Sequence, residues 1–513
     1  MVLLSNLLSL AATLTLASAA AICCPDQICH TIKSRSNITA QTVGRELGPL
    51  LSPEASIFTP VDEGFTEAND NYNVLGRPHF FVIVQAGQEC DIPVIIQYAN
   101  LNGIPFYTRN RGHALADTRG KFYGLQINMQ DLRGVQVSAD RTYATIQGGA
   151  YGQELIDELY AQKLTATTGS CSCVGLLGAG LGGGWGKWQG FHGLISDNFI
   201  SLNVVLANGT AITVSNDSHP DLFWALQGAG HNFGVVTSFV MKVHPLMFDT
   251  WFQKNYVFTE DKLEAVFEQL NTLNANGSQP QQMGEQAGYF ALNTSIDATR
   301  AVISWQFSWA GPPDEAQVHL APFDALGPVW TENITTPYNG VAAAAGSSVG
   351  QPLCAEGLSR VVGPATLLQY NLTTQRQVYD LYNSKILVHP ALNYSFVVME
   401  GYPQQVVRSV DPALSAYPWR GENIYTQIMI SYEADSSLDA FANEWAIESQ
   451  SLMNAGQPDR KPVAYVNYAG GREPVEWTYG YEPWRLERLR DLKAKYDPEN
   501  KFAYFKPIIP PTN

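Results

Sequence analysis

Between Pro78 and Pro245 short apolar runs alternate with amphipathic stretches, the rhythm of strands exchanged with helices. The run 80-FFVIVQAG-87 predicts a strand, 91-DIPVIIQYANLNG-103 a helix opened by Asp91 and closed by Gly103, and 104-IPFYTR-109 the next strand. A hairpin around Ala139-Asp140 follows within 134-GVQVSADRTYATIQGGA-150, and 152-GQELIDELYAQKL-164 is an amphipathic helix. A second hairpin turns at Asn208-Gly209 within 199–215, and 220–245 predicts a helix followed by a strand. From about residue 248 the strands lengthen, as in 301-AVISWQFSW-309, 394-YSFVVME-400 and 424-IYTQIMISY-432. Helical patterns at 261–275 and 437–455 interleave with them, which predicts an antiparallel sheet covered on one face by helices. The last sixty residues, with 465-YVNYAGGREP-474 and a helix over 484–496, fit either unit.

Composition narrows this α+β reading. A chain of 513 residues exceeds one small core and predicts two to four units. A net charge of -16 with no basic stripe excludes a nucleic-acid partner. Residues 1–21 form an apolar segment ending in small residues, with Ala17-Ser18-Ala19 as a cleavage pattern. The apolar core is interrupted by Ser5, Asn6, Ser9, Thr13 and Thr15 and is short for a span, so a secretory signal over 1–19 is expected rather than a membrane anchor. Eight Asn-x-Ser/Thr sequons, at Asn37, Asn208, Asn216, Asn276, Asn293, Asn333, Asn371 and Asn393, fit that route. The seven cysteines are odd in number, so at least one is not in an internal disulfide. A bridge from the N-terminal cluster to Cys90, from Cys29 for preference, is expected, and no spacing suits a metal site.

Two stretches carry candidate chemistry. In 169-GSCSCVGLLGAGLGGGWG-186 two cysteines precede a run in which seven of thirteen residues are glycine. Gly178, Gly180 and Gly183 satisfy G-x-G-x-x-G, but no strand precedes them and Trp185-Gly186-Lys187-Trp188 follows, so a nicotinamide-binding loop is the weaker reading. In 109-RNRGHALADTRG-120 a histidine follows glycine at the end of a predicted strand. His113 is either a hydrogen-bonded loop residue or part of a turn whose N–H groups take a pyrophosphate while the imidazole faces a cofactor ring.

In order and spacing, RNRGHAL, GSCSCVGLLGAGLGGGWG, GLISDN, DLFWALQGAGHNFGVVT and YVNYAGGREP with KYDPENKF resemble the berberine-bridge-enzyme-like oxidoreductases, which share the FAD-binding domain of vanillyl-alcohol oxidase. The resemblance implies a two-part FAD-binding domain, from residues 20–73 and 74–247, a substrate domain over 248–455, and a segment 456–513 returning to the FAD domain. It implies that His113 is bonded to the flavin 8-methyl group, and that Cys171, in 171-CSCVG-175, stands where doubly tethered members bond the flavin a second time. Cys173 could instead pair with another thiol and leave Cys171 unlinked. Arg109, Asn110, Arg111, Gly112, Val174, Gly175, Gly178, Gly182, Gly183 and Asn467 inherit cofactor-binding positions. The glycines are expected to let backbone approach the flavin. Tyr465 and Tyr468 are the candidate bases, each needing a cationic neighbour to ionise. Tyr425 and Gln427 are expected substrate contacts, and the glutamate that berberine-bridge enzymes use has no assigned equivalent. The implied activity is a secreted FAD oxidase taking hydride from a C–H next to oxygen or nitrogen. Its partners would be a small molecule, in secondary metabolism or a carbohydrate, and dioxygen, which Val174 would admit.

Overall fold

The computed structural model describes residues 38–510; the expected signal and Cys29 lie outside the described residues. Two sheets form the first unit. In one, the strands run Ser56–Phe58, His79–Gln85, Tyr123–Asn128, Phe106–Arg109, with the last three parallel. The helix Asp91–Leu101 covers it, burying Ile92, Ile95, Ile96 and Ala99 against Val82, Val84, Leu125 and Ile127. Asp91, its first residue, accepts the N–H groups of Gly87 and Gln88, both at 2.9 Å, which fixes the turn between the strand and the helix. The second sheet is antiparallel, in the order Val135–Val137, Tyr143–Gln147, Val235–Lys242, Phe199–Val205, Ala211–Ser215, and contains both predicted hairpins.

The second unit is a seven-stranded antiparallel sheet ordered Trp330–Pro337, Thr250–Phe258, Ala301–Ala310, Met283–Leu292, Phe396–Gly401, Ile424–Tyr432, Ser359–Leu367. Side chains alternate across a strand, so each strand is read by both faces. Val397, Met399, Ile428 and Ile430 pack into one core with the helices Leu263–Leu273, Leu372–Ile386 and Asp439–Ala455. Val398, Glu400, Gln427 and Met429 take the opposite face and line a cavity instead. This alternation aims the functional side chains away from the helices and toward the first unit.

The C-terminal segment closes on the first unit. Its helix Pro483–Tyr496 sets Arg488 4.0 Å over the ring of Trp224, and Lys493 donates to the carbonyl of Asn232 at 2.8 Å while paired with Asp497. Cys173 is joined to Cys354, 181 residues on, so the disulfide ties the first unit to a turn before the outermost strand of the second. No helix among the described residues is long and apolar enough to cross a membrane.

Candidate active site

A cavity of about 350 Å³ is walled by the turn after Phe106–Arg109, the cysteine-glycine stretch, the polar face of the seven-stranded sheet and the C-terminal segment. In the turn, Gly112 has φ +72°, a conformation that glycine adopts without strain, and the N–H groups of Asn110, Arg111, Gly112 and His113 find no backbone acceptor among the described residues. Both amide atoms of Asn110 are buried without a partner. Arg109 and Arg111 are held by the protein: Arg109 donates to the carbonyl of Asp70 at 2.7 Å and to Gln130 at 2.9 Å, and Arg111 lies 3.3 Å over the ring of Tyr151. Their side chains shape the turn, and all four of its residues line the cavity.

His113 lies on the wall with its ring stacked on Tyr72, 3.8 Å between centroids at 15°. The guanidinium of Arg360 sits 3.6 Å above the other face of Tyr72. Burial and the Arg360 charge lower the imidazole pKa to about 3, so the ring is neutral and keeps a lone pair.

Neighbours in 169-GSCSC-173 have separate fates. The Ser170 hydroxyl meets that of Tyr402 at 3.0 Å, Cys171 faces the cavity as a free thiol, the Ser172 N–H reaches the carbonyl of Ser347 at 3.0 Å, and Cys173 is the bridged cysteine. Burial, then the charges of Glu400 and Glu285, push the Cys171 thiol up to about 12. Val174, Gly175 and Gly178 also reach the wall, and Gly178 has open space where a side chain would stand.

Gly182 and Gly183, expected at the cofactor, are not among the residues that line the cavity. A Cβ at Gly182 would collide with the Asn467 side chain, and Gly183, at φ +106°, lies against the ring of Tyr417. Gly175 is packed in the same way, since a Cβ there would collide with the Asn110 side chain. Gly178 is the glycine of this stretch that opens on free space at the cavity wall.

The two C-terminal tyrosines differ. The Tyr465 hydroxyl accepts from the Gly184 N–H at 3.1 Å and from Asn467 Nδ2 at 2.6 Å, and Asn467 also reaches the carbonyl of Ala179 at 2.9 Å. Tyr465 and Asn467 thus brace the glycine loop while lining the cavity. Tyr468 instead donates to Glu400 Oε2 at 2.6 Å. The cationic neighbour expected for a tyrosine base is replaced by a carboxylate, and burial with the Glu400 charge raises Tyr468 well above its ordinary value. Glu400 itself is raised to about 7, by burial first and by Glu285 second. Gln427 lines the cavity with its Oε1 buried and unpartnered, but Tyr425 does not reach it: its hydroxyl lies 2.5 Å from that of Tyr417, and its ring packs edge-on against Trp185.

Several site residues escaped the sequence reading. Glu400 is a lone carboxylate in the apolar strand Phe396–Gly401, and that contrast was its signal. His231 lines the cavity with Nδ1 unpartnered and Nε2 2.9 Å from the carbonyl of Gly178. Tyr72 and Arg360 carry no local motif. No group of three or more acidic, histidine or cysteine side chains suited to a metal occurs among the described residues.

The unpaired Asn110 amide, the open N–H groups of the turn and the bare wall at Gly178 fit a large, flat, phosphorylated cofactor. Residues 81–215 match the family described as FAD binding domain, and residues 464–509 the family described as berberine and berberine like. The chain is 50% identical over 511 residues to FAD-linked oxidoreductase anuG of Penicillium roqueforti, spanning 99% of this chain and 100% of that one. It is 44% identical to FAD-linked oxidoreductase iacH of Pestalotiopsis fici, over 93% of this chain and 92% of the other. Glucooligosaccharide oxidase of Acremonium strictum, described with a 6-S-cysteinyl, 8α-N1-histidyl FAD, shares the fold at a TM-score of 0.77 and 20% identity, over 92% of this chain and 100% of that one. Xylooligosaccharide oxidase of Myceliophthora thermophila, in complex with xylobiose, does so at 0.77 and 20%, over 93% and 100%. Identity across the whole chain with FAD-linked oxidoreductases, on a cavity built for such a cofactor, places this enzyme in the berberine-bridge-enzyme-like family of FAD-linked oxidoreductases.

Proposed function

We propose that the enzyme is an oxidase of a compact, largely apolar alcohol or amine, with dioxygen as the electron acceptor. The observation that carries this reading is the Tyr468–Glu400 hydrogen bond of 2.6 Å on the cavity wall. An O–H or N–H proton must leave as the adjacent C–H gives up its hydride. The substrate proton passes to the Tyr468 oxygen while the Tyr468 proton passes to Glu400 Oε2, so no free tyrosinate is required. Gln427, with its free Oε1, accepts a hydrogen bond from the substrate. Tyr289, Phe396, Val398 and Met429 complete that wall, a surface that takes an apolar body rather than a row of sugar hydroxyls.

When bound, FAD would supply the two-electron acceptor, with dioxygen as the final acceptor and peroxide as the product. The turn Asn110–His113 would hold its phosphates by backbone N–H groups, and Gly178 would leave room beside it. His113 and Cys171, both on the cavity wall, would be the covalent attachment points, and Val174 beside them would govern access of dioxygen. A disulfide, with exposed sequons at Asn208, Asn216, Asn333, Asn371 and Asn393, supports passage through an oxidising, glycosylating compartment. A screen for peroxide release tests the reading, using aryl and terpenoid alcohols and amines beside xylo- and cello-oligosaccharides. Peroxide from the apolar set is expected; peroxide from the oligosaccharides alone would replace it with a carbohydrate oxidase.

A further inference from the structure

Behind Glu400 the sheet buries a second carboxylate. Strand Met283–Leu292 lies beside Phe396–Gly401, and Glu285, 4% exposed, is ion-paired with Lys187, 6% exposed. The Tyr402 hydroxyl lies 2.8 Å from Glu285 Oε1 and 3.4 Å from Glu400 Oε1. A hydroxyl has one proton to give, and the shorter contact claims it for Glu285. The Ser170 hydroxyl, 3.0 Å from Tyr402, is placed to donate to it in turn. Glu285 is therefore held by an ammonium and a phenol, while Glu400 keeps only the Tyr468 proton at short range. The pair takes no part in the proton path from substrate to Glu400.

We propose that the Lys187–Glu285 ion pair is a positioning device for the proton acceptor: it fixes a negative charge beside Glu400, linked through Tyr402, and so makes Glu400 a stronger base than burial alone would. The groups that act on Glu400 are Glu285, Lys187, Tyr402 and Tyr468, and Glu400 in turn acts on the Cys171 thiol, Tyr289, Tyr465 and Tyr370. Among the charged members Glu285 acts more strongly than Lys187, so the net effect of the pair is to hold the proton on Glu400. A base whose proton affinity lies near the working pH accepts a proton with the greatest driving force consistent with being ionised.

This inference rests on Glu400 being the acceptor, as proposed above, but its test needs no turnover. Infrared difference spectra of the flavin-loaded enzyme, titrated across neutral pH, show the C=O stretch of a protonated carboxyl that disappears in Glu400→Gln. In Glu285→Gln the midpoint of that band falls by at least about one pH unit, the like-charge effect being removed. Should an unpaired Lys187 prevent folding, Lys187→Met with Glu285→Gln removes both charges, and the midpoint still falls, by less. An unmoved or raised midpoint in the variant that folds overturns the inference, as does a wild type with no Glu400-dependent band near neutral pH. Loss of flavin reduction in Glu400→Gln bears on the proposed function alone.

Discussion

The ring of His113 stacks on that of Tyr72 at 3.8 Å, with Arg360 on the far side of Tyr72 at 3.6 Å. A cation two layers away and a buried site both oppose a second proton on the imidazole, leaving a nucleophilic nitrogen at neutral pH. Acid-precipitated wild-type protein should therefore stay yellow and give a fluorescent gel band, while His113→Ala releases its flavin into the supernatant. Complete release from wild type would remove the tether.

Cys171 is the one cysteine of 171-CSC-173 left free once Cys173 has joined Cys354. With its thiol pushed up to about 12, it should resist alkylation at neutral pH in the native fold. Peptide mass mapping of loaded enzyme should find one flavin joining the His113 and Cys171 peptides. An unmodified Cys171 thiol in fully loaded, unfolded protein rejects the second attachment and leaves the first standing.

The disulfide closes a loop with a sequence separation of 181. Cross-linking a long loop stabilises chiefly by restricting the unfolded chain, so Cys354→Ser should cost roughly 2–4 kcal/mol and lower Tm in a thermal melt. Cys171→Ser, which breaks no bridge, should leave Tm nearly unchanged. Equal melting of wild type and Cys354→Ser would mean that the bridge does not form.

Val174 reaches the cavity wall between Cys171 and Gly175. A methylene added in a close-packed site occupies space that a small gas molecule needs. After photoreduction, the flavin of Val174→Leu should reoxidise in oxygenated buffer on the order of tenfold more slowly than wild type. Equal rates would remove Val174 as the point of entry.

Those residues that the sequence exposed belong to contiguous turns. Asn110 to His113 follow one strand directly, and Cys171 to Gly178 run without interruption from a turn into the helix Leu176–Leu181, so local order was enough to find them. Glu400, Glu285, Lys187 and Arg360 come from four separate segments that only the fold brings together. Tyr425 and Gln427 share a strand face by alternation, but depth along the strand separates them: one packs behind Trp185, the other reaches the cavity. The glycine run showed that backbone must pass something closely, and gave no sign that for Gly182 the neighbour is Asn467.

In the proposed reaction Glu400, through Tyr468, takes the substrate proton as hydride leaves. Its carboxyl, raised to about 7, must be ionised to accept, so reduction should slow as pH falls through that value. The direct measurement is anaerobic stopped-flow reduction of the flavin by the best alcohol from the peroxide screen, at saturating concentration, across neutral pH. Tyr468→Phe and Glu400→Gln should each lose about 10²- to 10⁴-fold in the limiting rate with full flavin content, and wild type should gain rate with pH through about 7. A wild-type rate flat across that range, with both variants reducing as fast as wild type, would contradict the account.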